Sequence, residues 1–218
     1  VLLAAGFETA ATGRYLSYWH DSVSLNEYML KIDPDAAETR GMLGIALSEQ
    51  GRSAEAAGQY KKVLSARPDD FRTHNNLANL LQAEGKLDEA VSHYRQALQV
   101  APGDATTRNN LGSVLQAQGR LDEAIACYRQ ALQNKSQYAE AHNNLGNALI
   151  LKGGINEAIS HFRQALQIKP DSPEMHYNLA NALQSKGELN EASDHFRRAI
   201  EVKPDYLKAY NNLGNLLQ

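Results

Sequence analysis

Seven histidines, one cysteine and a large set of asparagines are the side chains whose types and spacing could do chemistry in this 218-residue chain. His74, His142 and His176 share one register, His93, His161 and His195 share another, and His20 stands apart. Metal ligation from a single helix asks for histidines about three or four residues apart, and no two of these are so placed. His93, His161 and His195 instead each follow a glutamate (Glu89, Glu157, Glu191) by four residues, which is ion-pair spacing on a helix. They read as packing and surface-pairing residues, and no metal or other cofactor is expected. Cys127 lies in the register of His93 and His161 without a base placed beside it, and reads as an inert, half-buried thiol. A lone cysteine forms no intrachain disulfide and leaves the redox compartment open. There is no glycine-rich phosphate loop, no ordered Ser/His/Asp set and no pair of carboxylates outside a repeating register, so no enzyme activity is expected of this chain.

The asparagines offer a different chemistry. A carboxamide carries two N–H donors and one carbonyl acceptor, which suits a bidentate bond to an extended peptide backbone. What positions them is a repeat. Pro34, Pro68, Pro102, Pro170 and Pro204 fall on a 34-residue lattice, with Ser136 on the vacant node. Gly51, Gly85, Gly119, Gly153 and Gly187 keep the same period, as do Ala56, Ala90, Ala124, Ala158 and Ala192. Tyr60, Tyr94, Tyr128, Phe162 and Phe196 make a further register, and Leu43, Leu77, Leu111, Leu145, Leu179 and Leu213 another. Several registers in phase define an array.

Each unit reads as two helices. Leu77, Ala78 and Leu81 recur at helical spacing and Gly85 stops the first; Ala90, Val91, Tyr94, Ala97 and Leu98 form the stripe of the second, and Pro102 ends it. Asp88 and Glu89 sit where the N-terminal dipole of that second helix favours negative charge. One helix pair cannot bury its own face, so neighbouring pairs must stack.

Leu145-Gly146, Ala158, Phe162 and Pro170 are the signature positions in their most complete form, and on them the chain resembles the tetratricopeptide repeat family. The resemblance implies an all-α, right-handed superhelical solenoid of antiparallel helix pairs. It divides the chain into a degenerate capping segment (1–36), five repeats (37–70, 71–104, 105–138, 139–172, 173–206) and the first helix of a sixth (207–218). The signature's early Trp is replaced by Arg40, His74, Arg108, His142, His176 and Tyr210, which exchanges aromatic packing at that position without threatening the fold.

In that family's geometry the first helix of each unit lines a concave groove. Its face away from the apolar registers carries Asn75, Asn76, Asn79 and Gln82, then Asn109, Asn110 and Gln116, then Asn143, Asn144 and Asn147. Tyr177, Asn178, Asn181 and Gln184 follow, and then Asn211, Asn212 and Asn215. These are the candidate peptide-binding residues. The register of Asn76, Asn110, Asn144, Asn178 and Asn212 reads mainly as a bridge between adjacent repeats, whereas Asn75/Asn109/Asn143 and Asn79/Asn147/Asn181 read as ligand contacts. The stripe resembles the groove of the O-linked N-acetylglucosamine transferase repeat arm, which holds peptide main chain. It lacks the lysines of the carboxylate clamp that grips chaperone tails, having Asn75, Asn109 and Asn143 there. Arg95, Arg129, Arg163 and Arg197 form a ladder that reads as a solvated outer face.

A formal net charge of −3 and the absence of any strongly basic segment argue against nucleic acid as partner. No apolar run approaches the ~18 residues of a membrane span, so no membrane insertion is expected. A second, shorter resemblance lies in Val1–Ala5 and Tyr18–Ser22, which look like the membrane-proximal part of bacterial membrane glycosyltransferases similar to protein O-mannosyltransferases, whose tetratricopeptide tails follow the last membrane helix. It implies a bacterial source, with the repeats free in the cytoplasm or tethered at a membrane. Starting at Val1 rather than Met, the chain reads as a processed product or fragment. Three roles follow: a scaffold binding an extended peptide or protein segment, a substrate-presenting arm of a larger enzyme, or a homotypic assembly module. The last rests on Leu213, Leu216 and Leu217, an apolar strip that a continuing chain or a neighbouring molecule would cover, with Val1–Ala5 as the mate for head-to-tail stacking.

Overall fold

The structure, a computed structural model, describes residues 21–217. Among the described residues there are twelve α-helices and no strand. The chain divides into two compact units, Val1–Pro102 and Gly103–Gln218. The first holds α1 (Ser22–Ile32), α2 (Ala37–Glu49), α3 (Ser53–Ala66), α4 (Phe71–Ala83) and α5 (Leu87–Val100). The second holds α6 (Ala105–Ala117), α7 (Leu121–Asn134), α8 (Ala139–Leu151), α9 (Ile155–Ile168), α10 (Pro173–Lys186), α11 (Leu189–Val202) and α12 (Leu207–Leu216). Each is a stack of helix pairs, and the class is the all-α helical-repeat solenoid that the period implies.

Local chemistry sets these boundaries. Asp70 and Asp104 cap α4 and α6, their carboxylates accepting from the Thr73 and Thr107 amides at 2.7 Å. Ser172 caps α10, with Pro173 opening its first turn. The five lattice glycines between first and second helices all take positive φ, from 75° at Gly51 to 86° at Gly187. The residue after each glycine donates its amide back to the carbonyl of a leucine five residues earlier, as from Lys86 to Leu81 and from Arg120 to Leu115, both at 2.9 Å. That bond and the left-handed glycine reverse the chain in a few residues and satisfy the helix end.

Packing follows the registers. Tyr60, Tyr94, Tyr128, Phe162 and Phe196 are fully buried, as are the five lattice alanines from Ala56 to Ala192. Beside three of these rings stands a glycine: a Cβ on Gly146 would lie 2.6 Å from the Phe162 ring, and Gly44 and Gly112 meet Tyr60 and Tyr128 in the same way. Burial pushes the Tyr60 phenol up to about 12, and it raises Tyr94 and Tyr128 as well.

Within the degenerate segment, α1 stands ahead of Pro34 where a second helix would lie, and Asp21 caps it by accepting from the Val23 and Ser24 amides at 2.8 and 2.9 Å. Val1–Ala5 and most of the Tyr18–Ser22 stretch lie outside the described residues. No described helix is long and apolar enough to cross a membrane.

Candidate functional site

In the second unit α6 lies against α8, and α8 against α10. Carboxamides join them. Asn144 donates through Nδ2 to Asn109 Oδ1 at 3.0 Å, and Asn178 donates in the same way to Asn143 at 2.9 Å. One repeat further on, Asn212 donates to Asn181 Oδ1 at 2.7 Å and to the Tyr177 hydroxyl at 3.3 Å. Asn144, Asn178 and Asn212 therefore bridge repeats, as their register suggested. Their acceptors are the surprise: Asn109 and Asn143, read from sequence as outward ligand contacts, are only 5% exposed. Tyr177 is half-buried and packs its ring against Phe196 and Tyr206.

What stays open to solvent is the next register. Asn147 and Asn181 are half-buried, Asn211 and Asn215 exposed. In the first unit Asn79 is exposed, and Asn75, Asn76 and Gln82 are half-buried. The Tyr94 hydroxyl donates to Asn79 Oδ1 at 2.5 Å and lies 2.9 Å from Gln82 Oε1. Tyr128 donates to Gln116 at 3.0 Å. Where Phe162 lacks a hydroxyl, Ile150 stands in the glutamine's place; Gln184, beside Phe196, keeps its amide without that donor. Half-buried Asn110 completes the set. The carboxamides of this face are themselves uncharged, and several are fixed by their own hydrogen bonds.

One departure in the first unit escaped the sequence reading. On α2 the corresponding positions are Gly41, Met42 and Ile45, with Met42 58% and Ile45 43% exposed. They line a cavity of about 330 Å³ with Val63, Arg67 and Arg72. Arg67 at its rim is paired with Glu38, whose carboxyl it holds below the usual range. The signal was present as apolar residues in the Asn76 and Asn79 registers.

The position of the missing signature Trp is a bracket. His74 Nε2 lies 2.7 Å from the Pro68 carbonyl, and its Nδ1 lies 3.0 Å from His93 Nδ1. His142 reaches the Ser136 carbonyl and His161 Nδ1, both at 3.0 Å. His176 reaches the Pro170 carbonyl at 2.8 Å and His195 Nδ1 at 2.9 Å. Arg40 performs the same task with guanidinium bonds to the Pro34 carbonyl and to Gln59. So the two histidine registers meet each other across three helix pairs, α4–α5, α8–α9 and α10–α11, a contact between residues 19 apart that spacing along one helix does not reveal. Among the described residues no group of three or more His, Cys, Asp or Glu side chains is placed to hold a metal. The expected Glu–His pairing is loose: Glu157 and Glu191 lie 3.9 and 3.8 Å from His161 and His195. Those glutamates bind the arginine ladder instead, Arg129 to Glu157 at 2.7 Å and Arg163 to Glu191 at 2.8 Å.

On α12, Leu213 and Leu216 are half-buried, and Leu217 just beyond its end is 64% exposed.

Profiles described as tetratricopeptide repeat match residues 33–60, 69–137, 103–171 and 149–217. No curated protein matches the sequence. Among solved structures the chain is similar to MamA (25% identity, TM-score 0.69, covering 76% of this chain and 97% of that one). It is similar in fold to PilF of Pseudomonas aeruginosa (23% identity, TM-score 0.73, 81% and 80% covered). A third is YrrB, described as a tetratricopeptide repeat protein with an unusual peptide-binding site (20% identity, TM-score 0.69, 86% and 96% covered). Read with the left-handed lattice glycines and the buried aromatic register, these matches establish that the chain belongs to the tetratricopeptide repeat family.

Proposed function

We propose that this protein is an interaction scaffold whose first-helix faces bind an extended peptide or protein segment through its main chain. The observation that carries the reading is the row of uncharged carboxamides at repeat spacing, Asn147, Asn181 and Asn215, half-buried to exposed beside a buried amide seam, with Asn181 also accepting from Asn212. Such groups match the alternating N–H and C=O of an extended strand and ignore its side chains. Asn79, Gln82, Asn75 and Asn76 supply the equivalent face of the first unit, and Gln116, Asn110, Gln184 and Asn211 extend that of the second. Asn109, Asn143, Asn144, Asn178 and Tyr177 serve it by fixing the spacing. No catalytic role is proposed for any of them.

Binding of labelled extended peptides, followed by anisotropy, tests this. Asn147→Ala with Asn181→Ala is expected to weaken binding about 10-fold or more, at roughly 1 kcal/mol per lost bond. Affinity should change little with salt, because no charged pairs form; a steep salt slope would sink the neutral-face reading. A substrate-presenting arm of a larger enzyme uses the same face and differs in what the chain is joined to. Head-to-tail association through Leu213, Leu216 and Leu217 is a separate reading, favoured by the exposure of Leu217. Light scattering over a concentration series checks it: association that survives Leu213→Glu and Leu217→Glu does not run through that strip.

A further inference from the structure

Three helix pairs are closed by an imidazole–imidazole contact, and proton counting restricts what that contact can be. A backbone carbonyl only accepts, so Nε2 of His74, His142 and His176, each at a carbonyl, must carry the hydrogen. In the neutral ring Nδ1 is then bare and accepts. Its partner Nδ1, on His93, His161 or His195, must donate. That partner's own Nε2 is left bare. The neutral contact is thus a single N–H held between two rings whose centroids are 5.2 Å apart.

A first added proton has a place to go: Nε2 of the partner ring, near Glu157 at His161 and near Glu191 at His195. A second has none. It must settle on Nδ1 of His74, His142 or His176, setting two N–H groups head to head inside a joint where those three rings are 5–8% exposed.

We propose that the three contacts are proton-operated clasps, which hold α4 to α5, α8 to α9 and α10 to α11 at neutral pH and open on acidification, while the α2–α3 pair, held by Arg40 and Gln59, stays closed.

The surrounding charges leave the direction intact. His93 faces Glu89 on its own helix and Lys61 on α3. His161 faces Glu157 on its own helix and Arg129 on α7. His195 faces Glu191 and Asp194 on its own helix and Arg163 on α9. His176 faces Arg198 and Glu201 on α11 and Asp171 ahead of its own helix. Burial is the largest influence on His93, His142, His161, His176 and His195, and it lowers the affinity of all five for a proton. The unfolded chain therefore binds protons first. The stability these rings contribute is full above about pH 6.5 and is lost as pH falls below it.

The chain supplies its own control, the Arg/Gln pair. Exchanging all three clasps for it (His74→Arg with His93→Gln, His142→Arg with His161→Gln, His176→Arg with His195→Gln) leaves His20 as the remaining imidazole. Urea midpoints between about pH 7.5 and about pH 5.5 should fall steeply for the wild type and far less for the exchanged protein. Exchange of a single pair should remove about a third of that slope. A second measurement needs no variant: imidazole nitrogen shifts of the wild-type protein at neutral pH should report Nδ1–H tautomers for His93, His161 and His195. Equal slopes in wild-type and exchanged proteins, or Nε2–H tautomers at those three rings, would overturn the proposal.

Discussion

Along the first helices of the second unit, successive repeats meet through carboxamides, Asn144 on Asn109 and Asn178 on Asn143, with the acceptors almost wholly buried. Along its second helices they meet through charges, Arg129 on Glu157 and Arg163 on Glu191, with about half of each of those side chains in water. The ion pairs are the stronger interaction in isolation and the weaker one here. Water already solvates both charges well, so little is gained by pairing them. The buried acceptors Asn109 and Asn143 have no such alternative, and removing the donor leaves each carbonyl without a partner to satisfy it. The spacing of the repeats is therefore set on the first-helix side, by neutral groups, and the charged side adjusts to it.

The largest test removes what both seams rest on. Phe162→Ala empties a fully buried site between α8 and α9 and should cost about 3–5 kcal/mol in urea unfolding, with both seams loosened. Next, Asn178→Ala takes the donor from the buried Asn143 acceptor and should cost about 1–3 kcal/mol, unchanged between low and high salt. A cost that disappears in high salt would mean that the seam acts through charge after all. Gly85→Ala should cost about 1–2 kcal/mol, because its φ of 76° disfavours any Cβ although open space surrounds it. That loss lies outside both seams and calibrates them. Arg163→Ala should be the smallest, at most about 1 kcal/mol and absent in high salt.

The fold was readable because each register has one physical cause repeated in phase: a glycine where φ is positive, an aromatic where two helices leave a gap, a small residue where they touch. The face was readable only in part. Asn143 and Asn147 lie one helical turn apart and look alike in sequence, yet one is buried and the other meets solvent. The difference comes from the neighbouring repeat, whose Asn178 closes over Asn143, and helical periodicity alone contains no neighbour. The histidine clasps were hidden for the same reason, as were the glutamate partners of Arg129 and Arg163. Met42 and Ile45 could have been found by reading the asparagine registers one repeat further toward the N-terminus.

The bond from Asn178 to Asn143 has a bearing on how such a chain can change in length. Excising residues 139–172, one 34-residue period, would bring Asn178 opposite Asn109, which already accepts from an asparagine of the same register. Glu191 would meet Arg129 in place of Glu157, and His176 would find the Ser136 carbonyl that now serves His142. Every junction would be remade with a chemically equivalent partner. To a gene that gains or loses segments by unequal recombination, the loss of a whole repeat from this unit leaves the new junction matched, whereas the substitution of one seam asparagine leaves a partner unmatched.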